Sequence, residues 1–470
     1  MPNQVTIPRG SGLLLDLQRG EHVDIIVESG EIEYEGHYLK TDSKLCVANH
    51  AKLLLAIYED ATLQLVCSSD EVVIIPLKGL LDRLEPFANE ISSLSTTGLI
   101  PWLYLVGRHP VERNLIIQQL VHWYSRLGFR VILLNADGEH PCIFVPGTAT
   151  LAEYSGHIHD YHFCPDSYVV PIEGLKSSRL PNVLLSRQRL FNIIPTVVII
   201  CLPKFVDTPK GRLEIHSYLQ TLLPAKSETF QVLQAEAEQL DLSRLHNLAR
   251  LTMAGKEAQQ YLRKVVPLLI SIDVLGSLVP TIEHLHLAYH ELRIPPFLAD
   301  LALPTIDDRL TEYFYGPSGR IAFQPITKRF KLVKHPSQSV VSETVQNCLC
   351  VQLNTFSYRL LESVTECSIL RSDEVDEESL LNRVCLIPLI EDPEDVHFFL
   401  SKQKGGTLDV ELPGDALTEI MLRVTVVGCC LIRGVKSIDD DTFLDLLLPR
   451  EAPFPQYFIL LVTEHYAGIE

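Results

Sequence analysis

Residues 99–107, LIPWLYLVG, run into 108–114, RHPVERN, and on into LIIQQLVHWYSRLGFRV at 115–131. The first stretch is a continuous apolar run rich in aromatic and β-branched residues, which reads as a buried strand. The last has apolar residues at helical spacing and leads through Gly128 into a second apolar strand, VILLNADG at 131–138. Strand, short loop, helix, strand is the setting in which a phosphate-binding loop of the form GxxxxGK[ST] sits. Gly107 opens such a loop at the right place, but the positions for glycine, lysine and the hydroxyl residue hold Glu112, Arg113 and Asn114. The frame of a nucleotide loop is present without its chemistry.

Around this stretch, residues 91–330 alternate apolar strands with helices. PWLYLVG, RVILLNA and TVVIICLP are the clearest strands, and the pattern predicts an α/β domain with a mostly parallel sheet covered by helices on both faces. LQAEAEQLDLSRLHNLARLTMAGKEAQQYLRKVV (233–266) has helical spacing and is read as core-packing helix. VVPLLISIDVLGSLV (265–279) carries Asp273 and backbone breakers, which suits a buried element better than a membrane span. Residues 1–90 alternate short apolar strands with Gly, Asp and Asn turns about every ten residues, predicting an N-terminal β-sandwich. GLLDRLEPFANEISSL (79–94) then reads as a helix, and SSLSTTG (92–98) as a polar turn. Residues 331–470 return to short strands and form a C-terminal β-rich domain, with the acidic SILRSDEVDEESLLNR (368–383) as a solvated loop containing some helix.

The chain has 470 residues, 46% hydrophobic and 21% charged, enough for several buried cores. A net charge of −19 argues against a broad nucleic-acid-coating surface, which needs clustered lysine and arginine, but leaves room for a local basic groove. The opening MPNQVTIPRGSG has no basic region followed by an apolar core, so no signal peptide is expected and an intracellular protein is. Eleven cysteines are scattered without a disulfide-like rhythm. Cys348 and Cys350, and Cys429 and Cys430, lack a second pair at zinc spacing, so they are read as small core residues and no metal site is expected.

Several stretches together resemble the polynucleotide 5'-hydroxyl kinase family, and in particular its kinase-like members in the pre-mRNA cleavage factor. These are VESGEIEYEGHYL (27–39), LYLVGRHPVERN (103–114), RLGFRV (126–131), Asp137 followed by FVPGT (144–148), YHF (161–163) and DRLTEYFYG (308–316). The longest is VVGCCLIRGVKSIDDDTFLDLLLPREAPFPQYFILLVTEHY (426–466). The resemblance implies a central P-loop NTPase-like domain flanked by N-terminal and C-terminal β domains.

It also implies a set of site residues. Gly107, Glu112, Arg113 and Asn114 align with the nucleotide loop, where a Glu112 Cβ at positive φ would cost about 1 to 2 kcal/mol. Glu112 at the following helix N-terminus could itself supply the negative charge that the helix favours, plugging the site, or could be a solvated first-turn carboxylate. Asp137 aligns with the family's base, with Glu139 and His140 where glycine and glutamine are expected; in its NADG turn Asp137 reads first as a turn former. Cys164, Pro165 and Tyr168 replace residues that clasp RNA or phosphate. In the lid before EYFYG, Arg309 persists, while Ile306 and Thr311 stand where arginines are frequent. Tyr313, Phe314 and Tyr315 are read as core or interface.

With so many parts altered, the expectation is a noncatalytic scaffold of the nuclear 3'-end cleavage and polyadenylation machinery, needing no cofactor and no metal. Its partners would be protein subunits of the cleavage factor, including the scaffold that binds the polymerase tail, with RNA possible and no membrane. The rival is an ATP-dependent polynucleotide 5'-hydroxyl kinase, with Asp137 as base and Mg²⁺ held by Asn114 and Asp137. A third reading is a noncatalytic member of a tRNA-splicing or ribosomal-RNA-processing assembly.

Overall fold

The computed structural model describes residues 3–17, 21–34, 37–48, 52–69, 72–77, 79–143, 146–154, 168–171, 195–223, 264–285, 287–293, 306–315, 325–332, 346–353, 367–370, 377–389, 425–438, 441–449 and 459–467. YHF at 161–163, Cys164 and Pro165, and nearly all of the helical stretch predicted at 233–266 lie outside these residues.

At the N-terminus two antiparallel sheets face each other. One has β1 (Asn3–Ile7), β8 (Ala61–Cys67), β3 (His22–Ser29) and β6 (Lys44–Ala48) in that order. The other has β5 (His37–Lys40), β4 (Glu31–Tyr34), β7 (Lys52–Ile57), β2 (Gly12–Asp16) and β9 (Val73–Leu77). Period-two alternation in β3 and β8 sends Val23, Ile25, Val27, Leu63 and Leu65 into the core between the sheets. β2 is buried on both faces. Leu13 and Leu15 enter the sandwich core, whereas Leu14 joins a second core under helix α1 (Leu80–Thr96). α1 is a single helix through Thr96, so most of the predicted polar turn at 92–98 is helical and only Thr97 and Gly98 turn. Its first amides are satisfied from the sandwich, where the Gly10 carbonyl accepts from Leu81 N at 2.8 Å.

The central sheet has the order β13, β12, β11, β14, β10, β15, β16. β11 (Arg130–Asn135), β14 (Thr196–Cys201), β10 (Leu99–Gly107), β15 (Lys264–Ile272) and β16 (Ala288–Leu292) run parallel. β12 (Thr148–Glu153) and β13 (Tyr168–Pro171) add antiparallel, making the sheet mixed at that edge. Both faces are covered. Leu103, Leu105, Leu133 and Ile199 pack against α1 and α2 (Pro110–Arg126), while Trp102, Tyr104, Ile132 and Ile200 pack against α3 (Pro209–Leu222) and α4 (Leu275–Leu285). The run at 265–279 is the buried β15 leading into α4; among the described residues no helix is long and apolar enough to cross a membrane.

The remaining strands form a C-terminal sheet in the order β17 (Ile326–Leu332), β22 (Asp441–Leu448), β21 (Thr425–Ile438), β20 (Arg383–Leu389), β23 (Ile459–Tyr466), β18 (Gln346–Leu353), β19 (Cys367–Ile369). A parallel pairing of β17 with β18 closes it into a barrel. Cys348, Cys350, Cys385 and Cys430 fill its interior beside Phe330, Leu444 and Leu460. Helix α5 (Ile306–Tyr315) carries Tyr313 and Phe314, both buried, and the Tyr313 hydroxyl accepts from Cys429 N at 2.9 Å.

Candidate functional site

The C-terminal ends of β10, β11, β14 and β15 converge where parallel α/β sheets bind ligands. Gly107 is the last residue of β10, and α2 starts at Pro110, leaving only Arg108 and His109 between strand and helix. The predicted loop is therefore largely absent. Pro110 at the first helical position pre-sets the helical φ and needs no amide partner, so the helix begins five residues before Leu115. Glu112, Arg113 and Asn114 are first-turn helical residues, and Arg113 N already donates to His109 O at 3.1 Å. Among the described non-glycine residues positive φ occurs only at Asp42, Asp273 and Asn382, so the strain expected at Glu112 does not arise. The helix ends in a Schellman arrangement, with Phe129 N donating to Tyr124 O and Gly128 N to Ser125 O, both at 3.0 Å, and Gly128 at φ 78°.

Gly107 answers to packing. A Cβ there would lie 3.2 Å from Ile272 Cβ at the end of β15, so glycine permits the two strand ends to close together.

Arg113 turns inward from α2 and its side chain is 0% exposed. Its Nη1 donates to the Leu202 carbonyl at 2.5 Å, and Nη2 to Asp137 Oδ2 at 2.8 Å, Asn114 Oδ1 at 3.0 Å and His140 O at 3.1 Å. Burial works against its charge, but the neighbouring Cys201 and Asp137 outweigh it and hold the guanidinium above its ordinary range. Asn114 reads the same turn through Nδ2, 3.4 Å from His140 O. Both side chains spend their polar atoms on the protein.

Asp137 is engaged at both oxygens. Oδ2 accepts from Arg113, and Oδ1 accepts from the backbone amides of Glu139 and His140, each at 3.0 Å, closing the turn after β11. Asn135 braces that turn through Nδ2 to Asp137 O at 3.0 Å, while its Oδ1 accepts from Cys142 N at 3.1 Å. At the rim, Glu139 pairs with Lys204 at 3.2 Å. Burial pushes the His140 imidazole down, against the pull of Asp137 and Glu139.

Glu112 projects on the other side of the helix start and is 5% exposed. Burial, and then the charge of Asp273 just beyond β15, push its carboxyl up to about 7. It is the acidic residue of the α2 first turn, where the helix end favours negative charge. It is therefore neither a loop residue nor a solvated carboxylate.

Sequence reasoning brought Gly107, Arg113, Asn114 and Asp137 to one place, and the structure unites Arg113, Asn114 and Asp137 in one hydrogen-bonded cluster. Glu112 lies apart, toward Asp273. Arg309 lies on α5, with its side chain outside the described residues. Asn135, Cys142, Cys201 and Leu202 complete the cluster and carry no motif; for Asn135, Cys201 and Leu202 the one signal is a place at the end of an apolar strand, and Cys142 lies in the turn after β11. Among the described residues no group of three or more His, Cys, Asp or Glu side chains could hold a metal ion.

No protein-family model and no curated protein matches the chain. Two solved structures share its fold over nearly its whole length. One, describing an extended interface between Pcf11p and Clp1p and the basis of ATP loss in a glycine-to-arginine point mutant, has a TM-score of 0.64 at 14% identity, covering 99% of both chains. The other, the wild-type Clp1p–Pcf11p complex, has a TM-score of 0.61 at 13% identity, covering 99% of this chain and 98% of that one. The likeness establishes the fold.

Proposed function

We propose that the chain is a noncatalytic, kinase-like scaffold subunit of the nuclear machinery that cleaves and polyadenylates pre-mRNA 3' ends. The observation that carries this reading is the Arg113 guanidinium, wholly buried and 2.8 Å from Asp137. Phosphoryl transfer needs a cation aimed at phosphate oxygens and a carboxylate aimed at the attacking hydroxyl. Here the residue in the lysine position and the residue in the base position are each other's partner. Two residues between Gly107 and Pro110 are too few to wrap a phosphate. When ionised, Glu112 also repels a phosphate oxygen 4 Å away by about 1 kcal/mol in water-like surroundings and about 4 at an effective dielectric of 20. The residues present do not fit a magnesium-bound nucleotide. On this reading the nucleotide loop is degenerate and the central sheet serves as a frame for protein contacts.

The likeness to Clp1p solved with Pcf11p supports a protein partner of the Pcf11p kind, which we read as the cleavage-factor scaffold that binds the polymerase tail. Calorimetry of the natural protein with ATP and Mg²⁺ is the test, together with co-purification of the tagged chain with cleavage-factor subunits. No heat and stable capture are expected. Binding at micromolar affinity followed by phosphorylation of a 5'-hydroxyl RNA establishes a kinase instead, and capture with tRNA-splicing subunits alone moves the scaffold to another assembly. The variant combining Glu112→Gly, Arg113→Lys and Asn114→Ser asks separately whether this loop is the whole lesion.

A further inference from the structure

Two imidazoles meet at the surface of the α3 and α4 pair. His216 stands midway along α3 and His284 in the last turn of α4, and their ring centroids are 5.0 Å apart with planes inclined at 55°. His284 is exposed and His216 half-buried. The helices that carry them are fixed. Ile215 and Leu219 of α3 and Leu278 and Ile282 of α4 pack into the core on the sheet face that bears Trp102 and Tyr104. At the helix starts the Ser277 hydroxyl of α4 donates to Asp207 Oδ2 at 2.9 Å, just ahead of the Thr208 cap of α3. With their starts tied in this way, the two helices bring His216 and His284 to the same level.

Among the described residues neither imidazole has a hydrogen-bond or ion-pair partner. Other histidines are spent on the protein: His122 faces Glu33, His140 faces Glu139, and His290 lies stacked on Phe87. Burial, and then the charge of His284, push the His216 imidazole below its ordinary range. At neutral pH it therefore offers a lone pair.

We propose that His216 and His284 form a two-imidazole site for a late first-row divalent metal ion such as Zn²⁺, which bridges α3 to α4. A tetrahedral ion about 2.0 to 2.1 Å from a ring nitrogen lies about 3.2 Å from each ring centroid, which sets two rings that share it about 5 Å apart. The 5.0 Å between His216 and His284 matches that spacing. Imidazole suits zinc, nickel and copper, whereas magnesium and calcium take oxygen ligands. Two ligands are fewer than a structural zinc centre uses, so this is an exchangeable site with water in its other positions. It lies on the sheet face away from α2 and shares no residue with the Arg113 and Asp137 cluster. It therefore stands whether or not the nucleotide loop is degenerate.

The test labels the histidines of the whole reduced protein with diethyl pyrocarbonate at neutral pH across a Zn²⁺ titration, reads them by mass spectrometry, and takes the stoichiometry from calorimetry. The expected result is joint protection of His216 and His284, saturating at a single zinc ion, while exposed His22 stays reactive. Ni²⁺ should protect the same pair and Mg²⁺ should not. In His216→Ala, His284 should need about tenfold more zinc for the same protection, and His284→Ala should do the same to His216, since each variant turns a chelate into a single attachment. The inference is overturned if either ring labels equally with and without zinc, if protection of one survives loss of the other at unchanged zinc, or if Mg²⁺ protects as well as Zn²⁺. The natural-protein titration decides even where a variant fails to fold.

Discussion

The Arg113 guanidinium and the Asp137 carboxylate meet at 2.8 Å with side chains 0% and 2% exposed, the most deeply buried of the described ion pairs. Removing one partner strands the other charge, at a cost of about 3 to 5 kcal/mol. Asp137→Ala should show this in urea unfolding, because it also frees the Glu139 and His140 amides. Asp137→Asn keeps an oxygen for those amides and should cost less. Arg113→Met combined with Asp137→Asn should cost less than the sum of its parts, with a coupling of about 2 kcal/mol. Additive losses would mean that the pair is not the organising contact.

Glu112 makes stability fall as pH rises. Its folded carboxyl is pushed up to about 7 from an ordinary value of 4.5, so the folded chain binds the proton more tightly than the unfolded one. Its contribution is full below about 4.5 and is lost as pH climbs through about 7, amounting to roughly 3 kcal/mol. Glu112→Gln should flatten this part of the pH profile and be more stable than the natural protein at pH 8. A natural profile that is level between pH 5 and pH 8 in the same chemical-denaturation series would sink the assignment.

Glu33 of β4 and His122 of α2, 3.2 Å apart and both buried, fasten the sandwich to the central helix. Arg126 completes the contact, its guanidinium 4.6 Å from the Tyr58 ring and 4.3 Å from the Trp123 ring, and donating to the Tyr38 hydroxyl at 2.6 Å. Burial pushes the Glu33 carboxyl up, but bonding to His122 and Tyr58 and the charges of His122 and Arg126 leave it lowered overall. Its contribution is therefore present above the ordinary carboxylate range and lost as pH falls through the lowered value. Arg126→Ala should destabilise by about 1 to 2 kcal/mol through loss of its two cation–π contacts. Proteolysis should then cut first in the 1–90 region; an unchanged cleavage pattern and midpoint would show that the cluster is ornamental.

How much of this was legible follows from the range of each interaction. LIPWLYLVG and VILLNADG were readable as strands because burial on both faces leaves a continuous apolar run. The nucleotide-loop spacing over RHPVERN places the start of α2 at Leu115, five residues late, although Pro110 two residues before Glu112 is itself a helix-start signal. Asn3–Ile7 and Lys44–Ala48 are weak strand signals because they are short and partly polar at sheet edges. The antiparallel edge at Thr148–Glu153 and the closure of β17 on β18 depend on partners far along the chain, which local periodicity does not encode. Arg113 stands at the lysine position of the loop pattern in sequence, and its inward turn is not legible until the ends of β11 and β14 are known to meet it.

Tyr313 links α5 to the barrel, its hydroxyl accepting from Cys429 N at 2.9 Å inside a fully buried contact. Burial pushes the phenol well up, so it stays neutral across the working pH range. Tyr313→Phe preserves the ring and its edge-on contact with Phe314, 5.2 Å between centroids, and removes only the acceptor. The Cys429 amide is then buried without its partner, which costs about 1 to 3 kcal/mol. Tyr313→Leu should cost more, since it also gives up aromatic packing. Hydrogen exchange distinguishes a local from a global effect: in Tyr313→Phe the Cys429 amide should exchange markedly faster while amides of the central sheet keep their protection. Equal acceleration throughout would mean that α5 secures the whole molecule rather than the barrel, and no change at Cys429 would mean that the hydroxyl is dispensable to it.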